Sequence, residues 1–176
     1  MALLKRLQRR QKPPREVLAR LEDDERLLAW GDTDADTVVV ATSYGLWWPF
    51  PEGPRRVPWQ QVDKVVWRDN VLALTEADVV DDELLVDRRP VYLTITVPRD
   101  LPPKIRKRVE ANIVRTELLS VPGGGVRFVL RRRPGQDGSV WWARLEPGTR
   151  ATDVVMSSIR ARLAILRAAE AAESPQ

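Results

Sequence analysis

The side chains behind most covalent catalysis are missing from this chain: its 176 residues include no histidine and no cysteine. Ser-His and Cys-His nucleophile pairs, imidazole acid-base steps and His-ligated zinc are therefore excluded. Carboxylate, lysine, tyrosine and carboxylate-bound metal chemistry remain. The carboxylates cluster three times. Glu22-Asp23-Asp24-Glu25 is a run of four and reads as a solvated turn. Asp32, Asp34 and Asp36 have the spacing of a calcium loop but lack the glycine and distal glutamate that such a loop needs. Asp81, Asp82 and Glu83 fall in a loop-like stretch, with no nucleophile set against them. Gly123-Gly124-Gly125 has neither the lysine nor the helix start of a phosphate loop. The expectation is a non-enzymatic chain with no catalytic residue, metal or cofactor.

Residues suited to binding are more prominent. Trp47-Trp48 and Trp141-Trp142 are adjacent pairs, and neighbours on a strand face opposite ways. In the last hairpin Trp141, Ala143 and Leu145 make the better inner set. Trp142 then points outward with Arg144, near Arg127 and Arg131 of the partner strand. Such a surface is either indole stacked on guanidinium or a contact site, since Trp and Arg dominate interface hot spots. A helix inserted earlier in the chain is a rival cover for this face. A second contact candidate is Trp47 or Trp48 with Phe50, at a proline-stiffened loop expected over 49–54. Anionic-surface candidates are Lys5, Arg6, Arg9 and Arg10 near the start, and Lys104, Lys107, Arg108 and Arg115 further on. The last four, with Arg131-Arg132-Arg133, offer a footing for phosphate backbone.

Charge is laid down in blocks. Residues 1–20 carry a net +6, residues 21–100 a net −9 and residues 101–176 a net +7. The blocks can pair within the molecule or present separate faces to partners. No apolar run is long enough to span a bilayer, and the start lacks the apolar core of a secretory signal. The expected location is cytoplasmic, with peripheral association at the inner membrane face as an alternative.

These side chains need a scaffold. Residues 1–14 form a basic arm, ended by Pro13-Pro14. Short strands are expected at 26–30, 38–43, 46–48, 56–67 and 71–75, with a bulge or bend near Gln60-Gln61 where the parity of Val57 and Trp59 breaks. Asp69-Asn70 is a turn, and 76–89 reads as a long acidic loop. Val91–Val97 alternates cleanly, with Val91, Leu93, Ile95 and Val97 on one face. Leu101-Pro-Pro opens a helix expected to reach about residue 120, with Ile105, Val109 and Ile113 on its apolar face. A hairpin follows across Pro134–Gly138. A final helix spans about 152–172, capped by Thr152, with Val155, Met156, Ile159, Leu163 and Leu166 as its apolar stripe. About eight strands and two main helices make one α+β domain at 15–172, before a disordered tail at 173–176.

One stretch carries a family resemblance. Residues 37–67, with Thr42 before a strand turn, then Pro58-Trp59, Val62 and Trp67, resemble bacterial pleckstrin-homology-like (PH-like) domains over roughly residues 22–97. The resemblance implies a partly open antiparallel barrel of two sheets, an end closed by the C-terminal helix, and binding rather than catalysis. The inserted helix departs from that plan. Phosphoinositide-binding relatives place bases in the loop after the first strand, whereas the matching loop at 31–36 carries three aspartates. The functional expectation is an interaction module for a protein partner. Alternatives are anionic-membrane association through the basic arm, and nucleic-acid binding through the basic second half.

Overall fold

The structure, a computed structural model, describes residues 12–173. Most of the arm (1–11) and the last three residues (174–176) lie outside the described part, and with them Lys5, Arg6, Arg9 and Arg10.

A single turn, α1 (Arg15–Leu18), leads to a four-stranded antiparallel meander: β1 (Leu27–Thr33), β2 (Val38–Thr42), β3 (Gly45–Phe50) and β4 (Gly53–Pro58). The chain must be glycine at 45, because a Cβ there would lie 2.4 Å from the Val57 carbonyl oxygen on β4. A 3-10 turn (Trp59–Gln61) leads to β5 (Val62–Arg68), and the register shifts between Val62 and Lys64. The bend expected near Gln60-Gln61 is this turn. Asp69 and Asn70, both at positive φ, turn the chain into β6 (Val71–Val80). β6 pairs first with β5 and with β8 (Val91–Val97), then with β7 (Leu84–Asp87). β8 reaches β1 through Asp32↔Val97 and Thr33↔Ile95. Helix α2 (Leu101–Asn112) drives Leu101 and Ile105 into the core formed by Val39, Leu46, Trp48, Trp59, Leu72 and Ile95. Val91 and Leu93 are half-buried against that core.

The second half continues the same sheet. β9 (Ile113–Val121), β10 (Gly124–Arg132) and β11 (Ser139–Leu145) form a meander, joined to β7 by a parallel pair at Ala143↔Leu84. The strand order is β4-β3-β2-β1-β8-β6-β7-β11-β10-β9, with β5 off this path on β6, and the sheet is not closed into a barrel. Helix α3 (Asp153–Glu173) lays Val155, Ile159, Leu163 and Leu166 over Phe128, Leu130, Trp141 and Ala143. Thr152 caps it as expected, its Oγ1 accepting from the Val155 amide at 3.3 Å. No helix among the described residues is long and apolar enough to cross a membrane.

Four expectations change. First, the inserted helix ends at Asn112, not near 120. Ile113, Val114 and Thr116 are β-branched and prefer a pleated strand. The Asn112 amide also donates to the Arg132 carbonyl at 2.9 Å, tying the helix end to β10. Arg115 therefore sits on β9, apart from the helical bases. Second, the acidic stretch at 76–89 is a hairpin, the end of β6 with β7, turned at Asp81 and Asp82, both at positive φ. Aspartate tolerates that region better than most residues. Third, the stretch at 49–54 is not a loop: β3 runs to Phe50 and β4 starts at Gly53. With 56–67 divided between β4 and β5, and with β7 and β9 added, the strands among the described residues number eleven rather than eight. Fourth, the C-terminal helix covers the second-half sheet, while α2 covers the first-half core. Glu173, placed in the tail by sequence, is the last residue of α3.

Candidate functional site

The tryptophan expected at the centre of the protein-contact surface is not exposed. Trp142 is 6% exposed and packs with Ala77, Leu85, Val140 and half-buried Val79. Parity was right: Trp141 and Ala143 face α3, and Trp142 faces away. The outer face is nonetheless covered. The β6–β7 hairpin supplies Ala77, Val79 and Leu85 beside the indole. From the same face Arg131 reaches across to the first half, donating through Nη1 to the Gln60 and Val62 carbonyls, each at 3.0 Å. Its Nη2 meets Asp63 Oδ1 at 3.2 Å, and Arg144 meets the same carboxylate at 2.7 Å and Asp87 at 2.6 Å. Burial pushes the Arg131 guanidinium below its usual range, with Asp63 opposing. Arg131 and Arg144 thus bind the two halves together. Arg127 remains exposed, paired with Glu146 at 2.7 Å.

The other aromatic candidates are also committed internally. Trp48 is buried in the first-half core. Trp47 packs half-buried against Trp30 and Val38, and its Nε1 donates to Glu25 Oε1 at 3.1 Å. Phe50 lies 4.2 Å beneath the Arg55 guanidinium, which makes two bonds to Glu76 at 2.7 and 2.8 Å. The acidic run is likewise spoken for. The buried Glu25 carboxylate accepts from Thr42, Trp47 and Arg56, Glu22 also receives Arg56, and Asp24 accepts from the Tyr44 hydroxyl. That last bond, with desolvation adding to it, pushes the Tyr44 phenol from 10.0 up to about 12. Among the described residues no group of three or more Asp or Glu side chains is placed to hold a metal ion.

Of the helical bases, Lys104 and Lys107 are exposed, while Arg108 is half-buried. Arg115, exposed on β9, pairs with Glu173 at 3.5 Å.

What the chain leaves open is a groove that sequence reading missed. β5 pairs with β6 on one side only, and among the described residues no strand pairs with its other edge. α2 runs beside that edge. Between them lies a groove of about 630 Å³, lined by Val65 and Trp67 from β5, Ile105 and Val109 from α2, and Pro102 and Pro103 from the helix start. Val65, Trp67 and Val109 are only half-buried, with one side on the core and the other on the groove. The charges at its rim are balanced: Asp63 and Glu110 stand with Lys64 and Arg106, and Arg106 binds Glu110 at 2.8 Å. The alternation of Val65 and Trp67 with exposed Lys64, Val66 and Arg68 was visible in the sequence. Their proximity to α2 was not, because it arises from a packing 40 residues apart.

Comparison with protein-family models, curated proteins and solved structures gives no match for this chain.

Proposed function

We propose that the protein is a non-catalytic interaction module that takes an extended segment of a protein partner along the free edge of β5. The observation that carries this reading is an unpaired strand edge running beside an apolar groove. A free edge offers amides and carbonyls to an incoming strand, and pockets for alternate side chains then select the sequence. β5 is seven residues long, and beyond Val62, whose carbonyl Arg131 already holds, it leaves room for a short extended segment. The balanced rim favours a segment with apolar side chains at alternate positions and little net charge. Residues 27–112 are, in this proposal, a PH-like unit. Its two strand groups are β1–β4 and β5–β6–β8, joined through the β1–β8 pair, and its closing helix is α2. The groove lies where that helix meets the second sheet.

The test is selection of a displayed random peptide library on the full chain, followed by titration of an enriched peptide. Enriched peptides should alternate apolar and polar residues, and Val109→Lys should weaken their binding at least 10-fold while leaving the circular dichroism spectrum unchanged. Peptides that bind Val109→Lys as tightly as the unaltered chain, or a library with no enrichment, would refute the reading.

A further inference from the structure

Most arginines of the described chain meet a carboxylate, including Arg55, Arg56, Arg88, Arg131, Arg144 and Arg162. Four that have no side-chain partner among the described residues line one cleft: Arg26, Arg108, Arg132 and Arg133. The cleft holds about 540 Å³, within the range of small-molecule sites. Asp137, exposed on the β10–β11 loop, is the only acidic residue among those lining it.

Each wall is fixed by bonds that leave the guanidinium groups free. Arg26 is held through its backbone: its amide donates to Ser43 Oγ at 2.9 Å, and its carbonyl accepts from the Ser43 amide at 2.8 Å. Asn112, one helical turn beyond Arg108, holds the Arg132 carbonyl at 2.9 Å. On the opposite loop Gly135 (φ 77°) sits against the Tyr44 ring, where a Cβ would come within 2.7 Å of the aromatic carbons. Three separate elements thus bring four cations into one concave space.

We propose that this cleft binds a phosphate-bearing ligand, a phosphomonoester or diphosphate group, carried on a soluble compound or a lipid headgroup. Guanidinium groups do not lose their proton at ordinary pH, and their planar fork matches two phosphate oxygens at once. A phosphomonoester carries about −1.5 to −2 charge at pH 7, which answers the excess positive charge of the lining. The fixed walls lower the ordering cost of binding. The site is separate from the β5–α2 groove and does not depend on it.

The experiment uses the full chain and pyrophosphate as the soluble probe, titrated by calorimetry. Phosphatidylcholine vesicles with and without phosphatidylinositol 4-phosphate test the lipid source. The paired change Arg132→Ala/Arg133→Ala removes no side-chain bond among the described residues, so folding is retained. It should weaken pyrophosphate binding, or phosphoinositide-vesicle binding, at least 10-fold. Arg26→Ala should weaken it severalfold. The controls Arg89→Ala and Arg150→Ala, without a side-chain partner among the described residues but outside the cleft, should change it less than twofold. Pyrophosphate binding with no vesicle preference assigns a soluble ligand, and sedimentation only with phosphoinositide vesicles assigns a lipid headgroup. Either supports the site. The proposal is overturned if neither probe binds, if the control variants lose as much affinity as the cleft variants, or if only nucleic acid binds and pyrophosphate fails to compete.

Discussion

Trp142 gives the sharpest test of how the two halves meet. An indole of this kind buries about 200 Å² of mostly apolar surface, worth about 5 kcal/mol at 25 cal/mol/Å². Here only 6% of the residue is exposed, so nearly all of that applies. One term opposes it: the Trp142 Nε1 is buried with no hydrogen-bond partner, a condition that costs about 1–3 kcal/mol. Trp142→Ala removes both the burial and the orphan donor, so the net loss should be about 3 kcal/mol. Trp142→Phe keeps most of the packing against Leu85 and Val140 and removes the orphan N–H, so it should stay within about 1 kcal/mol of the unaltered chain. Urea melts followed by far-ultraviolet circular dichroism read both, since six other tryptophans complicate fluorescence. With a slope of about 2 kcal/mol/M, the alanine variant should lose about 1.5 M in midpoint. An alanine variant within about 1 kcal/mol would place Trp142 at the surface and refute the covering of this face by the β6–β7 hairpin and the first half.

Three further outcomes follow from the same packing. Leu163→Ala on α3 should cost about 2–5 kcal/mol in a urea melt, because it opens a cavity over Trp141 and Phe128; a loss below about 0.5 kcal/mol would mean that α3 does not hold that sheet. Glu25→Gln should cost about 2–3 kcal/mol, since it removes the charge that accepts from Arg56 and turns an amide donor toward donors; an unchanged midpoint would contradict the buried network. In a Tyr92→Phe chain the remaining phenol should titrate near 12 by ultraviolet absorbance, and Asp24→Asn should bring it back toward 10.0. The folded value is the raised one, so the Tyr44–Asp24 bond contributes stability fully below about pH 10 and loses it as pH rises through about 12. A midpoint near 10 in the Asp24-containing chain would disprove the bond.

Local chemistry settled much of this molecule in advance. Asp69-Asn70 and Pro134–Gly138 turn the chain where their backbone preferences say they should, Thr152 starts α3, and Val91–Val97 is one strand with Ile95 inside. Parity alone placed Trp141 and Trp142 on opposite faces. A spacing of four misled at Ile105, Val109 and Ile113, because the pattern continued past the residue where the β-branched run ends the helix; those side chains were the available signal. Asp81-Asp82 hid a hairpin for a similar reason: acidity suggested a loop, while the capacity of aspartate for positive φ was what mattered. Period and propensity are short-range properties, and they say which face a residue takes. They do not say what lies over that face. Whether Trp142 is covered, which arginines find carboxylates, and which free strand edge lies beside an apolar groove are set by segments tens of residues apart, as when Arg131 meets the Val62 carbonyl or α2 comes to rest beside β5. The chain's own sequence determined its turns, its caps and the sidedness of its strands. Only the tertiary structure decided that Trp48, Trp59, Trp141 and Trp142 serve the interior while Trp67 borders the open β5–α2 groove, and that a cleft gathers arginines with no side-chain partner among the described residues, because burial and charge pairing are properties of neighbours brought together by folding.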